Sequence, residues 1–133
     1  MTLAIGEALR AELVGYAGLT PLISTRCYPL QIAQGSAMPC VTYQVISLAP
    51  EQAFGATASI IQSWRYQITA WGSSYASANA VGIQVRACLD GFAGTLGTTG
   101  PKAVITWVGG VDMLEPDSER WRVIGDFEVW VNG

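Results

Sequence analysis

Four tracts of this chain alternate apolar and polar residues, and each pair of tracts follows a segment whose apolar residues recur at intervals of three and four. Successive side chains of a strand point to opposite faces, whereas helix positions three and four apart share one face, so the two periods specify the elements. The order they predict is helix, strand, strand, helix, strand, strand. Each helix carries one apolar stripe and must bury it against the sheet. The expected fold is α+β: a mainly antiparallel four-stranded sheet in α-β-β-α-β-β order with both helices on one face. At 133 residues the chain has material for one domain, taken as 1–133.

The first helix is expected over 3–14, where Ile5, Leu9 and Leu13 share a face with Ala8 alongside, while Glu7 and Arg10 lie on another. Thr2 is its candidate N-cap, and Gly15 and Gly18 end it. Thr20 and Pro21 suit a further short turn of helix before an extended stretch from Arg26 to Leu30. A strand is predicted from Pro39 to Leu48 and a second from Ile60 to Trp71, the two forming a hairpin. Ser74 caps a second helix running to Asp90, with Gly91 as its stop. The glycines at 91, 94, 97 and 100 match neither a P-loop nor G-x-G-x-x-G, and 91–101 reads as a mobile surface loop. The last two strands are expected at Lys102–Met113 and Arg120–Val131. Two α-β-β halves hint weakly at an internal repeat.

These patterns assign Leu9, Val41, Tyr43, Trp64, Ile68, Val81, Val85, Phe127 and Val129 to the core. The face away from the helices would then carry Ile46, Trp71, Ile124 and Trp130 among Gln44, Arg65, Gln67, Asp126 and Glu128. Apolar surface set in polar surroundings marks a contact site. Trp71, Ile124 and Trp130 are accordingly candidates for a subunit or partner interface. Phe54 joins them from the segment 49–59, which is longer than a hairpin needs.

The composition excludes much chemistry. There is no histidine, which removes Ser-His-Asp and Cys-His nucleophiles, His-containing zinc sites and the usual near-neutral pH switch. No serine stands in G-x-S-x-G, and Lys102 is the only lysine. No catalytic residue, cofactor site or metal site is assigned, and the chain is expected not to be an enzyme. Cys27, Cys40 and Cys88 form no C-x-x-C and are read as buried thiols of a reducing compartment, in preference to a Cys27–Cys40 disulfide. The opening MTLAIGEALRAEL lacks a basic leader region, and no apolar run is long enough to span a membrane, so neither export nor insertion is expected.

Charged residues are only 13% of the chain, about half the usual ~25%, which leaves wide uncharged surface and points to burial against other subunits. The net charge of −3 lacks the basic footprint that holds a protein on phosphates. The acids Asp112, Glu115, Asp117 and Glu119 cluster around Pro116 in what reads as a solvated hairpin turn, since the EF-hand pattern is absent. With Glu51, the acids Asp112, Glu115 and Asp117 are candidates for a surface that DNA slides past without specific binding.

The runs RCYPLQIAQGSAMPCVTYQVIS (26–47), YQITAWGSSYASANAVGIQVRACLDGF (66–92) and EPDSERWRVIGDFEVWV (115–131) resemble the tail completion, or tail terminator, family of long-tailed phages and prophage-derived particles. The likeness is carried by Tyr28-Pro29-Leu30, the Pro39–Ser47 strand, Trp71 followed by Tyr75 and Ala76, Leu89-Asp90-Gly91-Phe92, and Arg122-Val123 leading to Phe127 and Trp130. It implies an α+β subunit that assembles with itself as a ring, usually a hexamer, on the head-proximal end of the tail tube. Its partners would be the tail tube protein and a head connector or stopper protein, and its place the neck of a virion assembled in the host cytoplasm. The competing reading is a small α+β ligand-binding or regulatory domain that dimerises through its open sheet face.

Overall fold

A computed structural model describes residues 2–32, 34–52, 60–97, 102–115 and 120–132. In chain order the elements are α1 (Thr2–Val14), α2 (Thr20–Ile23), β1 (Cys27–Pro29), β2 (Cys40–Gln52), β3 (Ile60–Gly72), α3 (Tyr75–Leu89), β4 (Ala93–Thr95), β5 (Lys102–Glu115) and β6 (Arg120–Asn132). The α+β class and the four long strands match the sequence reading. The sheet is six-stranded and mixed, however, in the order β1-β2-β3-β6-β5-β4. The expected four-stranded sheet is corrected by two short edge strands, of which β1 runs parallel to β2 and β4 antiparallel to β5. β1 falls within the extended stretch expected from Arg26 to Leu30, but three residues hold no measurable period that would have placed it or β4 in the sheet.

The core lies on one face. Leu9, Val41, Tyr43, Trp64, Ile68, Val81, Val85, Phe127 and Val129 are all buried in one cluster to which both α1 and α3 contribute. Period-two burial runs cleanly down β3, where Trp64, Tyr66, Ile68 and Ala70 are sealed beneath the helices. Ser74 caps α3, its hydroxyl accepting from the Ser77 N–H at 3.2 Å. Gly82 lets α3 settle onto β6, because a Cβ there would come within 2.7 Å of the Val123 side chain.

Short β1 is held from outside the ladder. The Arg10 guanidinium donates to the carbonyls of Cys27 (2.9 Å) and Thr25 (3.2 Å), while Arg26 donates to those of Pro39 (2.9 Å) and Leu22 (3.0 Å). Two of the few cations are thus spent on backbone oxygens. On the opposite edge the segment read as a mobile loop is tied down through Gly97, whose N–H donates to Glu12 at 3.0 Å, with Leu96 fully buried. Gly91 and Gly97 supply backbone conformations at φ +80 and +60 that this turn-in requires. Residues 98–101 lie outside the described residues.

The hinted repeat is visible in the topology. Each half runs helix, three-residue edge strand, long bulged strand, long strand, and the halves join where β3 pairs antiparallel with β6. The bulge residue is the seventh of its strand in both halves, Ile46 in β2 and Val108 in β5.

Candidate functional site

Among the described residues no catalytic constellation is assembled. Among the described residues no group of three or more His, Cys, Asp or Glu is placed to hold a metal. All three cysteines are free and buried. Burial pushes the Cys27 and Cys88 thiols up to about 12 and raises Cys40 as well, which makes them poor nucleophiles.

The helix-free face is built from register. Thr42, Thr69, Ile124 and Val111 form one cross-strand row, Gln44, Gln67, Asp126 and Gly109 the next, then Ser47, Arg65, Glu128 and Thr106. The expected polar face is there, yet it covers itself. The Trp71 indole N–H donates to Thr42 Oγ1 at 2.9 Å, the Arg122 guanidinium lies 5.2 Å from the Trp71 ring centre, and Ser63 donates to Glu128 at 2.9 Å. Long side chains lie flat over short ones, so Thr42, Ser63 and Thr69 are buried although no helix crosses them.

Each residue singled out from the sequence can now be placed. Ile124 is 9% exposed, and Trp71 and Trp130 are half-buried, so none of the three stands proud of the face. Ile46, expected in line with them, is the bulge residue of β2 and is exposed. Phe54 and Asp117 lie outside the described residues. Glu51, Asp112 and Glu115 belong to strands and not to loops or a turn, because ladder pairing continues as Glu51 with Ile61, Asp112 with Val123 and Glu115 with Arg120. The β2–β3 and β5–β6 connections leave opposite ends of the sheet, which separates Glu51 from Asp112 and Glu115.

The exposed apolar side chains lie instead at the two sheet edges. On one side Ile83 of α3 and Trp107 and Val111 of β5 border a cavity of about 230 Å³ that Phe127 and Gly110 also line, and Val108 of β5 is exposed as well. Arg86 covers part of it, its guanidinium 3.8 Å above the Trp107 ring and 3.6 Å from Asp90, which also accepts from the Trp107 N–H at 3.1 Å. On the other side Leu30, 71% exposed, borders a cavity of about 330 Å³ with Pro29, Tyr43, Val45 and Tyr66. Sequence reasoning missed both. The only signal was the unalternating run Val104-Ile105-Thr106-Trp107-Val108, which is too apolar for a strand with one wet face.

The family model described as Tail completion protein gp17 matches residues 7–132. No curated protein matches the sequence. Among solved structures, a chain from the virion of a native gene transfer agent (GTA) particle superposes with a TM-score of 0.70 at 17% identity, covering 99% of this chain and 97% of that one. A likeness at that identity establishes a shared fold over the whole chain.

Proposed function

The chain belongs to the tail completion protein gp17 family, and so to the structural proteins of phage-type virions, and from that premise we propose that it closes as a ring, a hexamer, on the head-proximal end of a tail tube. The ring stops tube growth and offers the surface to which the head connector or stopper protein is joined. The family match over residues 7–132 carries this reading. The likeness to a chain of a gene transfer agent virion supports it.

The charge inventory fits a passive conduit for DNA. Duplex DNA carries one negative charge per ~1.7 Å of axis, and a bore rich in free cations would hold it through counterion release. Of the seven basic residues here, Arg10 and Arg26 bind backbone carbonyls, Arg86 sits on Trp107 and Asp90, and Arg122 on Trp71. Arg65 stands in register with Glu128. Glu51 of β2, Asp112 and Glu115 of β5 and Asp117, with Asp126 and Glu128 on the polar face, are the acids available to border the path. Trp71, Ile124, Trp130 and Phe54, read from the sequence as contacts to subunit or tail tube, are proposed here as contacts to the tail tube, Trp71 and Trp130 through the part of each residue left exposed.

The test is electron microscopy of tails assembled with and without the chain. Its omission should give tubes of unregulated length that do not join heads, and its addition should place several copies at the head-proximal end. Tails of normal length without it, or a single copy at the distal tip, would overturn the reading.

A further inference from the structure

Seven of the eight large hydrophobics exposed among the described residues sit on or beside the two outer long strands or β1: Leu30 and Ile46 on one side, and Ile83, Val104, Trp107, Val108 and Val111 on the other. These are also the places where the sheet is unfinished. β1 covers β2 only at residues 41–43, and β4 covers β5 only at residues 102–104, with two further backbone bonds at Ile105 and one to the Trp107 N–H. Among the described residues, 44–52 of β2 and 108–115 of β5 have no strand on their outer side, apart from the Leu30 end of β1. Long apolar edges of this kind are templates for strand addition unless something covers them.

The register shows that the two gaps are complementary. One row runs Tyr28, Thr42, Thr69, Ile124, Val111 and then stops, open beyond β5. Another begins open beside Pro50 and runs through Gln62, Val131 and Ala103 to Gly94. Each edge therefore has a step one strand deep, filled at one end and empty at the other, and the ends are opposite. A second copy set beside the first in the same orientation brings β1 against the open rows at 110–112 of β5 and β4 against the open rows at 49–50 of β2, while the rows between them, through 44–48 of β2, are filled by neither strand. Strand directions agree, since β1 would lie antiparallel to β5 of its neighbour and β4 parallel to β2 of the next copy. Each edge also offers an exposed apolar side chain beside a cavity: Leu30 next to about 330 Å³ on one, Val111 next to about 230 Å³ on the other.

We propose that copies of this chain join head to tail through these edges, so that the one-strand gap between β5 of one copy and β2 of the next is occupied toward one end by β4 of the first and toward the other by β1 of the second. The contact is heterologous, one edge meeting a different edge, which is the kind that closes into a ring when the rotation per copy allows it. Main-chain hydrogen bonds supply the pairing, and the apolar side chains beside the cavities fix its register. The inference rests on the multi-copy ring proposed above and names the surface that builds it.

The experiment is cross-linking of Leu30→Cys, Val111→Cys and the double variant with a short bismaleimide, in concentrated purified protein and in assembled tails. Both positions are exposed, so folding should be unaffected, which a thermal melt checks. The native thiols are buried and stay silent. The double variant should give a ladder of covalent oligomers up to the full ring, and each single variant none. Dimers from either single variant would mean that like edges meet, which overturns the proposal. No ladder from the double variant, where reconstruction of the same tails shows a ring of many copies, overturns the edge assignment and leaves the ring standing. One copy per tail removes both.

Discussion

Phe127 and Glu128 are neighbours in the chain and occupy opposite faces of the middle of the sheet, and the two faces are stabilised by different means. Phe127 is sealed under α3 with Tyr66 and Ile68, where burial of apolar area supplies the energy. Glu128 accepts from Ser63 on a face that no helix covers and that closes itself with hydrogen bonds and flat-lying rings. Alternation in sequence tells the faces apart. It does not say which of them is sticky: the polar face engages Trp71 internally, and most of the exposed large apolar side chains among the described residues lie at the sheet edges.

The largest expected effect tests the covered face. Phe127→Ala removes a fully buried ring from the centre of the core and should cost roughly 3 to 5 kcal/mol of stability, read as a lower denaturant midpoint. A cost below about 1 kcal/mol would show that the helices do not pack as described.

Alkaline pH should weaken the same face selectively. Cys27 and Cys88 are each raised from 9.0 to about 12 by burial, and Tyr66 from 10.0 to about 12. Between the unfolded and folded values the unfolded chain has released protons that the native chain retains, so stability falls as pH rises. It is fully present below about 9 and lost progressively up to about 12, at about 1 kcal/mol per thiol by roughly pH 10. Unfolding midpoints measured across that window should fall, and Cys27→Ala with Cys88→Ala should flatten the slope while lowering the plateau. Unchanged midpoints would mean that the thiols are open to water.

The polar face should respond less. Trp71→Phe keeps most of the ring but deletes the N–H that Thr42 accepts, leaving a buried hydroxyl short of a partner at a cost of about 1 kcal/mol. A neutral result would mean that the indole points outward and that the face is as open as alternation alone suggests.

What could be read from the sequence follows from this division of labour. Period two and period 3,4 persist over the long strands and over α1 and α3, and core positions such as Leu9, Trp64, Val81 and Val129 emerge from them directly. At Ile46 and Val108 the alternation slips by one residue, and a slip looks like noise until the partner strand shows it to be a bulge. Edges were harder still. Leu30 and Val111 are exposed because β1 and β4 are three residues long and the sheet ends beside them, which is a property of strand order that no local pattern encodes. Trp71 shows a different gap: its face was readable, but the Thr42 hydroxyl and Arg122 guanidinium that engage it were not.

The smallest change in stability should accompany the largest change in assembly. Val111 and Ile83 are each 55% exposed and flank the open side of β5, so Val111→Ser and Ile83→Ser remove little buried area and should shift stability by no more than about 0.5 kcal/mol. A polar face that bonds Trp71 and Glu128 within itself and an apolar edge with no strand beside it then predict opposite signatures. Trp71→Phe should lower the melting temperature and leave self-association intact, while the two edge substitutions should leave the melting temperature intact and shift the sedimentation of concentrated protein toward the monomer. The edge is the informative member of the pair, because a folded subunit alone gives it no contact to lose. If Val111→Ser and Ile83→Ser change neither property while Trp71→Phe abolishes oligomers, subunits meet through the helix-free face after all, and the apolar edge of β5 is ordinary surface.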